Sequence, residues 1–280
     1  MAGNGRAARI APMAEEQLKR HGKAIQTVAS AYPGHIEVVS RNAANAGVNT
    51  IFVLGGDSTV TDAARGVFGS KTALALLPAG TGNDFRKSLG IPEDWQSALE
   101  FALEHDPIEV DAGMINDQLF VNECGAGFDT VTLEYAQLSK KFMSGRPAYL
   151  YGVIRAILDN KTVELTVTRE DGLIETRRLV LFGAANGGII GGGIPVAPLA
   201  DVRDGLLDVV MVPAMPRWRL IPALRLMLLG QIMDMPGTVT FKCKEISIRG
   251  NGLKLNVDGE IVSQDAVTFK IMPRALRIHA

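Results

Sequence analysis

The chain has 280 residues, 47% of them hydrophobic, and its 29 basic and 30 acidic side chains give a formal net charge of −1. This composition excludes a mainly disordered chain and provides enough apolar residues for one large or two modest domains. The balanced charge leaves no overall basic field, so nucleic acid is not an expected partner, and an anionic ligand requires a local site.

The first 107 residues alternate predicted helices and strands. A glycine-containing turn at residues 2–6 precedes the first helix, and Ser58 or Thr59 is a candidate cap for the helix at 60–67. The predicted helices are 10–21, 36–46, 60–67 and 95–105, and the predicted strands are 24–28, 50–54 and 72–77. This alternation predicts a doubly wound, mostly parallel α/β domain.

After Pro107 the pattern changes to a β-rich α+β domain with few helices. The predicted strands are 109–122, 163–169, 175–184, 206–212, 239–249, 253–257 and 266–272, and the predicted helices are 131–139, 149–158 and 218–232. The uncharged stretch 179–200 is long enough to span a bilayer, but its six glycines and two prolines argue against a membrane helix.

The two cysteines, Cys124 and Cys243, lie far apart and show no CxxC spacing. They predict two buried thiols in a reducing compartment rather than a metal cluster. No charged-then-apolar leader is found at the start of the sequence, so a cytoplasmic location is expected.

A glycine-rich turn at residues 55–59 follows a predicted buried strand and opens a predicted helix. Such a turn directs backbone N–H groups and the positive end of a helix dipole toward one point, which favours phosphate. Asp57 is then able to reach a bridging Mg²⁺ or its waters. The alternative is an ordinary tight turn, since the segment matches neither the GxxxxGK[ST] nor the complete GxGxxG pattern.

A second glycine-rich turn, residues 78–85, follows the next strand. Gly80 and Gly82 offer open backbone, while Thr81 and Asn83 supply side-chain donors for phosphate oxygens. Both turns are expected at the carboxyl edge of one parallel sheet, where they are able to share a nucleotide.

These two turns resemble the GGDGT motif and the companion GTGNDF-type motif of diacylglycerol-kinase-type lipid kinases. Related kinases of NAD or fructose phosphates share the first turn, but the second turn followed by a late DGE is typical of the lipid-kinase branch. Further segments follow in the family's order, namely 110–113, 122–129, 191–193 with Pro198, 201–208 and 257–260.

The resemblance implies ATP- and Mg²⁺-dependent phosphoryl transfer to the hydroxyl of a membrane lipid, most simply diacylglycerol to phosphatidic acid. It implies an α/β ATP-binding domain at 1–107, a β-sandwich-like lipid- and metal-binding domain at 108–271, and a cleft between them for the nucleotide. Residues 272–280 are expected to return to the first domain.

The resemblance also implies site roles. Glu260 matches the acceptor of the hydroxyl proton, and Asp57 and Asp111 match the acidic residues that hold the catalytic Mg²⁺. A second, structural Mg²⁺ is expected at Asp201, Asp204 and Leu206. The implied ATP contacts are Gly55, Gly56, Asp57, Ser58, Thr59, Gly80, Thr81, Gly82, Asn83 and Asp84.

The helix predicted at 218–232 suggests contact with a membrane surface at the inner face. Its arginines and apolar residues interleave, and methionines flank them, as in an amphipathic helix beside an anionic lipid surface. The alternative is a helix packed in the core with solvated arginines. The residues concerned are Arg217, Arg219, Arg225, Trp218, Leu220, Ile221, Leu224, Leu228, Met211, Met215, Met227, Met233 and Met235.

Three departures from the family pattern keep other functions open. Ser58 stands where the family has glycine, and a backbone with positive φ there would be strained. Asp62 stands where glutamate is common, and the family's first strand, which ends in an Asn-Pro pair, is expected to be missing before residues 2–6. The alternatives are a nucleotide- or lipid-binding protein with little activity and a NAD-kinase-like small-molecule kinase.

The three carboxylates Asp57, Asp111 and Glu260 are all present, which favours an active enzyme. The acceptor stays open among diacylglycerol, a sphingoid base, ceramide and a polyprenol, because each presents a hydroxyl on an apolar body. A homodimer is compatible with the sequence.

Overall fold

The computed structural model describes residues 5–139, 142–143 and 145–280, so residues 2–4 of the predicted first turn lie outside it. The chain forms two compact units. Unit 1 is the chain up to Val110 together with Arg274–Ala280, and unit 2 is Asp111–Pro273.

Unit 1 is a parallel α/β fold. Its elements are α1 (Arg6–Arg20), α2 (His35–Asn45), β1 (Thr50–Gly55), α3 (Asp57–Val67), β2 (Ala73–Pro78), α4 (Asp84–Ser88), α5 (Trp95–Glu104) and the start of β3 (Pro107–Ile115). β1 and β2 run parallel, with Gly55 opposite Pro78. The end of the last strand, β15 (Ala266–His279), pairs in parallel with β2.

The core of unit 1 lies around β2, where every residue is buried. α3 and α5 pack against this strand. A strand buried on both faces reads as a continuous apolar run, which explains the sequence ALALLP. Asp94 is the N-cap residue of α5, and its carboxylate accepts the N–H groups of Gln96 and Ser97 at 3.0 Å.

Unit 2 is dominated by antiparallel strands. Its helices are α6 (Phe128–Ser139), α7 (Arg146–Asp159) and α8 (Arg217–Leu228), with a 3-10 turn at Ile232–Asp234. Its strands are the rest of β3, β4 (Gln118–Phe120), β5 (Glu123–Gly127), β6 (Val163–Arg169), β7 (Ile174–Ala185), β8 (Ile189–Ile190), β9 (Ile194–Pro195), β10 (Leu207–Pro213), β11 (Val239–Cys243), β12 (Glu245–Arg249), β13 (Lys254–Val257), β14 (Glu260–Ser263) and most of β15.

The long strand β7 organises unit 2. It pairs with β6 along its first half and with β5 and β10 along its second half, all antiparallel. β5 continues to β13 and β14, and β6 continues to β12 and β15. A large apolar core lies on this sheet, with Phe182 and Phe269 fully buried.

The predicted fold class, an α/β unit followed by a β-rich α+β unit, is confirmed. One predicted strand is wrong, since residues 24–28 form neither strand nor helix and all but Ile25 are exposed. A strand depends on a hydrogen-bonded neighbour and a buried face, and this segment gains neither among the described residues.

Two long predicted strands each divide in two. The segment 109–122 turns back at Asn116, which has a left-handed φ of 50°, so β3 and β4 form a hairpin. The segment 239–249 divides at Lys244, because β11 pairs with β10 while β12 pairs with β6 and β15. β5 and β14 were not predicted, and α8 ends at Leu228 rather than at residue 232.

Both cysteines are buried and neither forms a disulfide, as predicted. Burial raises the pKa of the Cys243 thiol to about 12 and holds the pKa of Cys124 well above its usual range. Among the described residues, no helix has the length and apolar character needed to cross a bilayer. The uncharged stretch 179–200 contains the end of β7 and the short strands β8 and β9.

Candidate functional site

The first glycine loop of unit 1 joins β1 directly to α3. Gly56 is the extended N-cap residue and α3 begins at Asp57, so the predicted start after Ser58 or Thr59 is wrong. Ser58 is therefore helical, and the strain expected from a positive φ does not arise. A Cβ on Gly55 would lie 2.4 Å from Thr59 Oγ1, so the turn requires glycine there.

The second glycine loop packs against the first. A Cβ on Gly80 would lie 2.5 Å from the Cα of Gly56, so only glycine permits this approach of two backbones. Asn83 closes the second loop from a left-handed conformation. Its Oδ1 accepts the Gly80 N–H at 3.1 Å, and its Nδ2 donates to the Gly80 carbonyl at 3.0 Å.

Asp57 ties the two loops together. Its Oδ1 accepts the Asp84 N–H at 2.6 Å, and a Cβ on Gly82 would lie 2.9 Å from its Oδ2. Lys87 Nζ lies 2.7 Å from Asp84 Oδ1. The ten residues predicted to contact ATP therefore lie in two adjoining loops and in the first turns of α3 and α4. This region combines glycine backbone, two carboxylates and a cation.

In unit 2, the buried carboxylate of Asp111 holds the loop at 201–206. Asp111 is 1% exposed, and its Oδ2 accepts the Gly205 N–H at 2.7 Å. Its own N–H donates to the Val202 carbonyl at 2.7 Å. The structure thus brings Asp111 together with the loop that contains Asp201, Asp204 and Leu206.

Within that loop, the carboxylates already have partners. Asp201 Oδ1 accepts the Arg203 N–H at 3.0 Å, and Asp204 Oδ1 accepts the Leu206 N–H at 2.9 Å. Lys242 Nζ lies 2.6 Å from Asp204 Oδ2. It also lies 2.9 Å from Asp208 Oδ2 and 3.2 Å from the Leu199 carbonyl.

An ammonium group thus occupies an all-oxygen cluster of the kind that suits a hard cation. Burial lowers the pKa of Lys242, but its hydrogen bonds to Asp204 and Asp208 outweigh this effect and raise the pKa overall. No group of three or more His, Cys, Asp or Glu side chains in the described part of the chain is arranged to hold a metal. The structural Mg²⁺ site stays a prediction, and it would require Lys242 to move.

Glu260 follows a turn that Asp258 fixes. Asp258 adopts a left-handed φ of 47°, and its carboxylate accepts the N–H groups of Val121 at 2.7 Å and of Asn122 and Glu123 at 3.0 Å. Glu260 begins β14 and is exposed. Its Oε2 lies 3.4 Å from Gln118 Nε2. A carboxylate on a rigid, exposed turn is suited to accept a proton from a substrate.

Three buried polar residues near these carboxylates were not predicted to take part. Asn186 Nδ2 donates to the carbonyls of Asp111 at 3.0 Å and Val121 at 2.7 Å, which joins β3 to the segment between β4 and β5. Asn122 donates to the Ile189 carbonyl at 2.8 Å. A lone asparagine in an apolar, glycine-rich segment signals a buried hydrogen bond, and Asn186 has that context.

The third buried polar residue is Asp129. Burial is the main effect on its pKa and raises it to about 6, although hydrogen bonds from Thr130 and Asn256 oppose the shift. Asn256 Nδ2 lies 3.3 Å from Asp129 Oδ2, and Asn256 Oδ1 accepts the Gly259 N–H at 2.8 Å. Asn256 thus connects Asp129 to the turn before Glu260.

An apolar crevice lies beneath α8 in unit 2. Leu220 and Met227 of α8 are buried, whereas Trp218 and Ile221 are each 65% exposed. The alternative prediction for α8, a helix packed in the core, therefore holds for only one of its faces. The crevice is lined by Phe128, Val180, Leu181, Val212, Met215, Leu220, Ala223, Leu224, Met227, Ile232 and Met235.

Two family profiles match the chain. Residues 1–115 match the "Diacylglycerol kinase catalytic domain", and residues 122–280 match the "YegS C-terminal NAD kinase beta sandwich-like domain". The fold and the two packed glycine loops are therefore those of a two-domain kinase. The chain belongs to the diacylglycerol kinase/YegS family of lipid kinases.

Curated relatives support this assignment. A Pseudomonas putida protein named "Probable lipid kinase YegS-like" is 37% identical over 240 residues, which cover 84% of this chain and 78% of that protein. The Salmonella typhimurium "Probable lipid kinase YegS" is 30% identical over 283 residues, which cover 98% of this chain and 93% of that protein.

Solved structures share the fold. A candidate diacylglycerol kinase from Bacillus anthracis str. Sterne has a TM-score of 0.82 at 23% identity, covering 99% of this chain and 93% of its own. An NAD kinase from Archaeoglobus fulgidus, in complex with ATP, has a TM-score of 0.56 at 16% identity, covering 97% of this chain and 89% of its own.

Proposed function

We propose that this kinase transfers the γ-phosphoryl group of ATP to the hydroxyl of a membrane lipid, with Mg²⁺, and that diacylglycerol is the acceptor. Family membership implies the use of ATP. The observation that most strongly supports a nucleotide site is the packing of two glycine loops, in which Gly56 and Gly80 touch and Asp57 binds the second loop. This arrangement places glycine backbone without side chains beside the positive start of α3, which favours a polyphosphate.

The carboxylates account for the remaining chemistry. Bound Mg²⁺ would neutralise charge on the transferring phosphoryl group, and the carboxylate oxygens of Asp57 and Asp111 are the ligand type that it prefers. The lipid oxygen forms a bond to the γ-phosphorus while the bond to the ADP oxygen breaks. Glu260 accepts the hydroxyl proton, and the fixed Asp258 turn limits its reorientation.

The apolar crevice beneath α8 supports a lipid acceptor. All eleven of its lining side chains are apolar. Burying alkyl surface contributes roughly 0.8 kcal/mol per CH₂, so this lining favours any alkyl group that enters the crevice. A polar, water-soluble acceptor of the phosphoryl group would gain no binding free energy from this apolar lining. The lining therefore favours a lipid acceptor over a small polar one.

An NAD-kinase-like activity is the second candidate, because the Archaeoglobus fulgidus NAD kinase shares the fold. A direct comparison of acceptors separates the two. Labelled ATP and Mg²⁺ are incubated with mixed micelles of diacylglycerol, sphingosine, ceramide or a polyprenol, or with NAD in solution. The products are separated by thin-layer chromatography.

We expect label in phosphatidic acid with the wild type and at least a 100-fold lower rate with Glu260→Gln. Glu245→Gln is the matched control, because Glu245 is also an exposed residue that begins a strand of unit 2. Label only in NAD would overturn the lipid assignment, and label in another lipid would overturn diacylglycerol as acceptor. No label in any product would overturn the enzymatic proposal.

A further inference from the structure

The exposed side of α7 is apolar. Leu150, Ile154 and Leu158 recur every four residues along it and are 60%, 49% and 52% exposed, and Tyr151 beside them is 38% exposed. The opposite side packs against α6. A contiguous apolar stripe on the exposed side of a helix marks a candidate interaction surface.

α8 is a neighbour of α7 and also exposes apolar side chains. It contacts α7, and it exposes Trp218 and Ile221 at 65% each and Leu228 at 55%; Leu229, which follows it, is 59% exposed. The two-helix apolar face is defined as Leu150, Tyr151, Ile154, Leu158, Trp218, Ile221, Leu228 and Leu229.

The charges carried by the two helices of this face are mostly basic. α8 carries Arg217, Arg219 and Arg225, all exposed, and no acidic residue. The only acidic residue of α7 is Asp159. It accepts a hydrogen bond from Tyr135 and lies 3.6 Å from Arg155, so its charge is already balanced.

We propose that the two-helix apolar face docks on the surface of a bilayer that contains anionic lipid. Exposed apolar side chains next to cations match the acyl and headgroup levels of such a surface. Arg219 lies over the Trp218 ring, 4.9 Å from its centroid, and tryptophan with a basic neighbour is typical of membrane interfaces. The inference deepens the proposed function, because it gives the route by which a lipid kinase would reach its acceptor.

A second copy of the chain fits this face less well. A two-fold contact places the same patch on both partners, so it would bury the arginines of α8. The one acidic residue of the two helices, Asp159, already pairs with Arg155 and leaves those arginines without an acidic partner. An anionic bilayer supplies the missing negative charge.

Co-sedimentation with vesicles tests the inference independently of catalysis. The full chain is mixed with vesicles of phosphatidylcholine alone, or with vesicles that also contain about 30 mol% phosphatidylglycerol, whose charge makes the surface potential negative. Ile221→Glu is compared with Ile174→Glu, since both isoleucines are 65% exposed but Ile174 lies at the start of β7, outside the face. A second variant replaces Arg217 and Arg219 by alanine.

We expect binding to the anionic vesicles and at least tenfold weaker binding of Ile221→Glu, with Ile174→Glu like the wild type. We expect about fivefold weaker binding for each arginine removed, the equivalent of about 1 kcal/mol. Equal binding to neutral vesicles, equal loss in both glutamate variants, or a dimer that Ile221→Glu dissociates would each overturn the inference.

Transfer to a short-chain diacylglycerol dispersed as monomers separates this inference from the proposed function. Ile221→Glu should keep that activity within about twofold while it loses activity on vesicles, because Ile221 does not line the crevice. Loss of both activities would overturn a docking role. Vesicle binding without any transfer would support the docking face and contradict the proposed function.

Discussion

Replacing Asp258 by alanine removes the acceptor of three backbone hydrogen bonds, from Val121, Asn122 and Glu123. These three residues are 1%, 8% and 3% exposed, so water has little access to the released N–H groups. Each buried donor left without a partner costs about 1–3 kcal/mol, and alanine at a left-handed φ adds about 1 kcal/mol. With partial relaxation, Asp258→Ala should lower the free energy of unfolding by about 3–6 kcal/mol.

Asp258→Asn should lower the free energy of unfolding by only about 1–3 kcal/mol, because asparagine tolerates the left-handed conformation and keeps one acceptor oxygen. This variant keeps the test valid if the alanine variant does not fold. The measurement is equilibrium urea unfolding followed by far-UV circular dichroism at pH 7.

The matched control is Asp171→Ala, because the Asp171 carboxylate also accepts a backbone N–H, from Leu173 at 3.0 Å, but is 57% exposed. Asp171→Ala should lower the free energy of unfolding by at most about 0.5 kcal/mol. A decrease in the free energy of unfolding of less than about 1 kcal/mol for Asp258→Ala, or no larger than that of the control, would refute the stabilising role of Asp258 in this turn.

Three further changes test other contacts. Gly80→Ala should weaken ATP binding at least tenfold in calorimetry, because its Cβ would lie 2.5 Å from the Gly56 backbone; unchanged affinity would contradict the loop packing. Burial raises the pKa of Asp129 from 3.8 to about 6, so between these values the folded protein binds a proton that the unfolded chain has released. The free energy of unfolding of the wild type should therefore fall by up to about 3 kcal/mol as pH rises from about 4 to 6. Asp129→Asn should remove this dependence in urea unfolding at a series of pH values, and an equal slope in both proteins would disprove it. Lys242→Met removes the ammonium between Asp204 and Asp208, so Mg²⁺ should raise the melting temperature of this variant more than that of the wild type, whereas equal shifts would argue against a latent cation site.

Local sequence features were sufficient to predict the glycine loops of unit 1. Two apolar strands, each ending in glycines, predict two turns at one edge of a parallel sheet, and the structure has them packed together. The start of α3 was predicted less well, because serine and threonine are common caps, whereas Gly56 serves here and the loop packs against Gly80. That contact is tertiary and leaves no local signal.

The carboxylate network of unit 2 was predictable only in part. Glu260 and Asp111 were recognised by resemblance, but the role of Asp258 depends on Asn122, which lies 136 residues earlier in the chain. Lys242 likewise reaches Asp204 across 38 residues. Such pairs follow from strand register, which single-sequence patterns do not determine when two strands such as β11 and β12 read as one.

The most direct test of the proposed function compares ATP binding and phosphoryl transfer in the wild type and Glu260→Gln. Affinity for ATP is measured by calorimetry, and transfer to diacylglycerol in mixed micelles is measured at saturating ATP. We expect ATP affinity to agree within about twofold and the transfer rate to fall at least 100-fold, because Glu260 acts on the acceptor hydroxyl rather than on the nucleotide. Equal transfer rates in the two proteins would contradict this account.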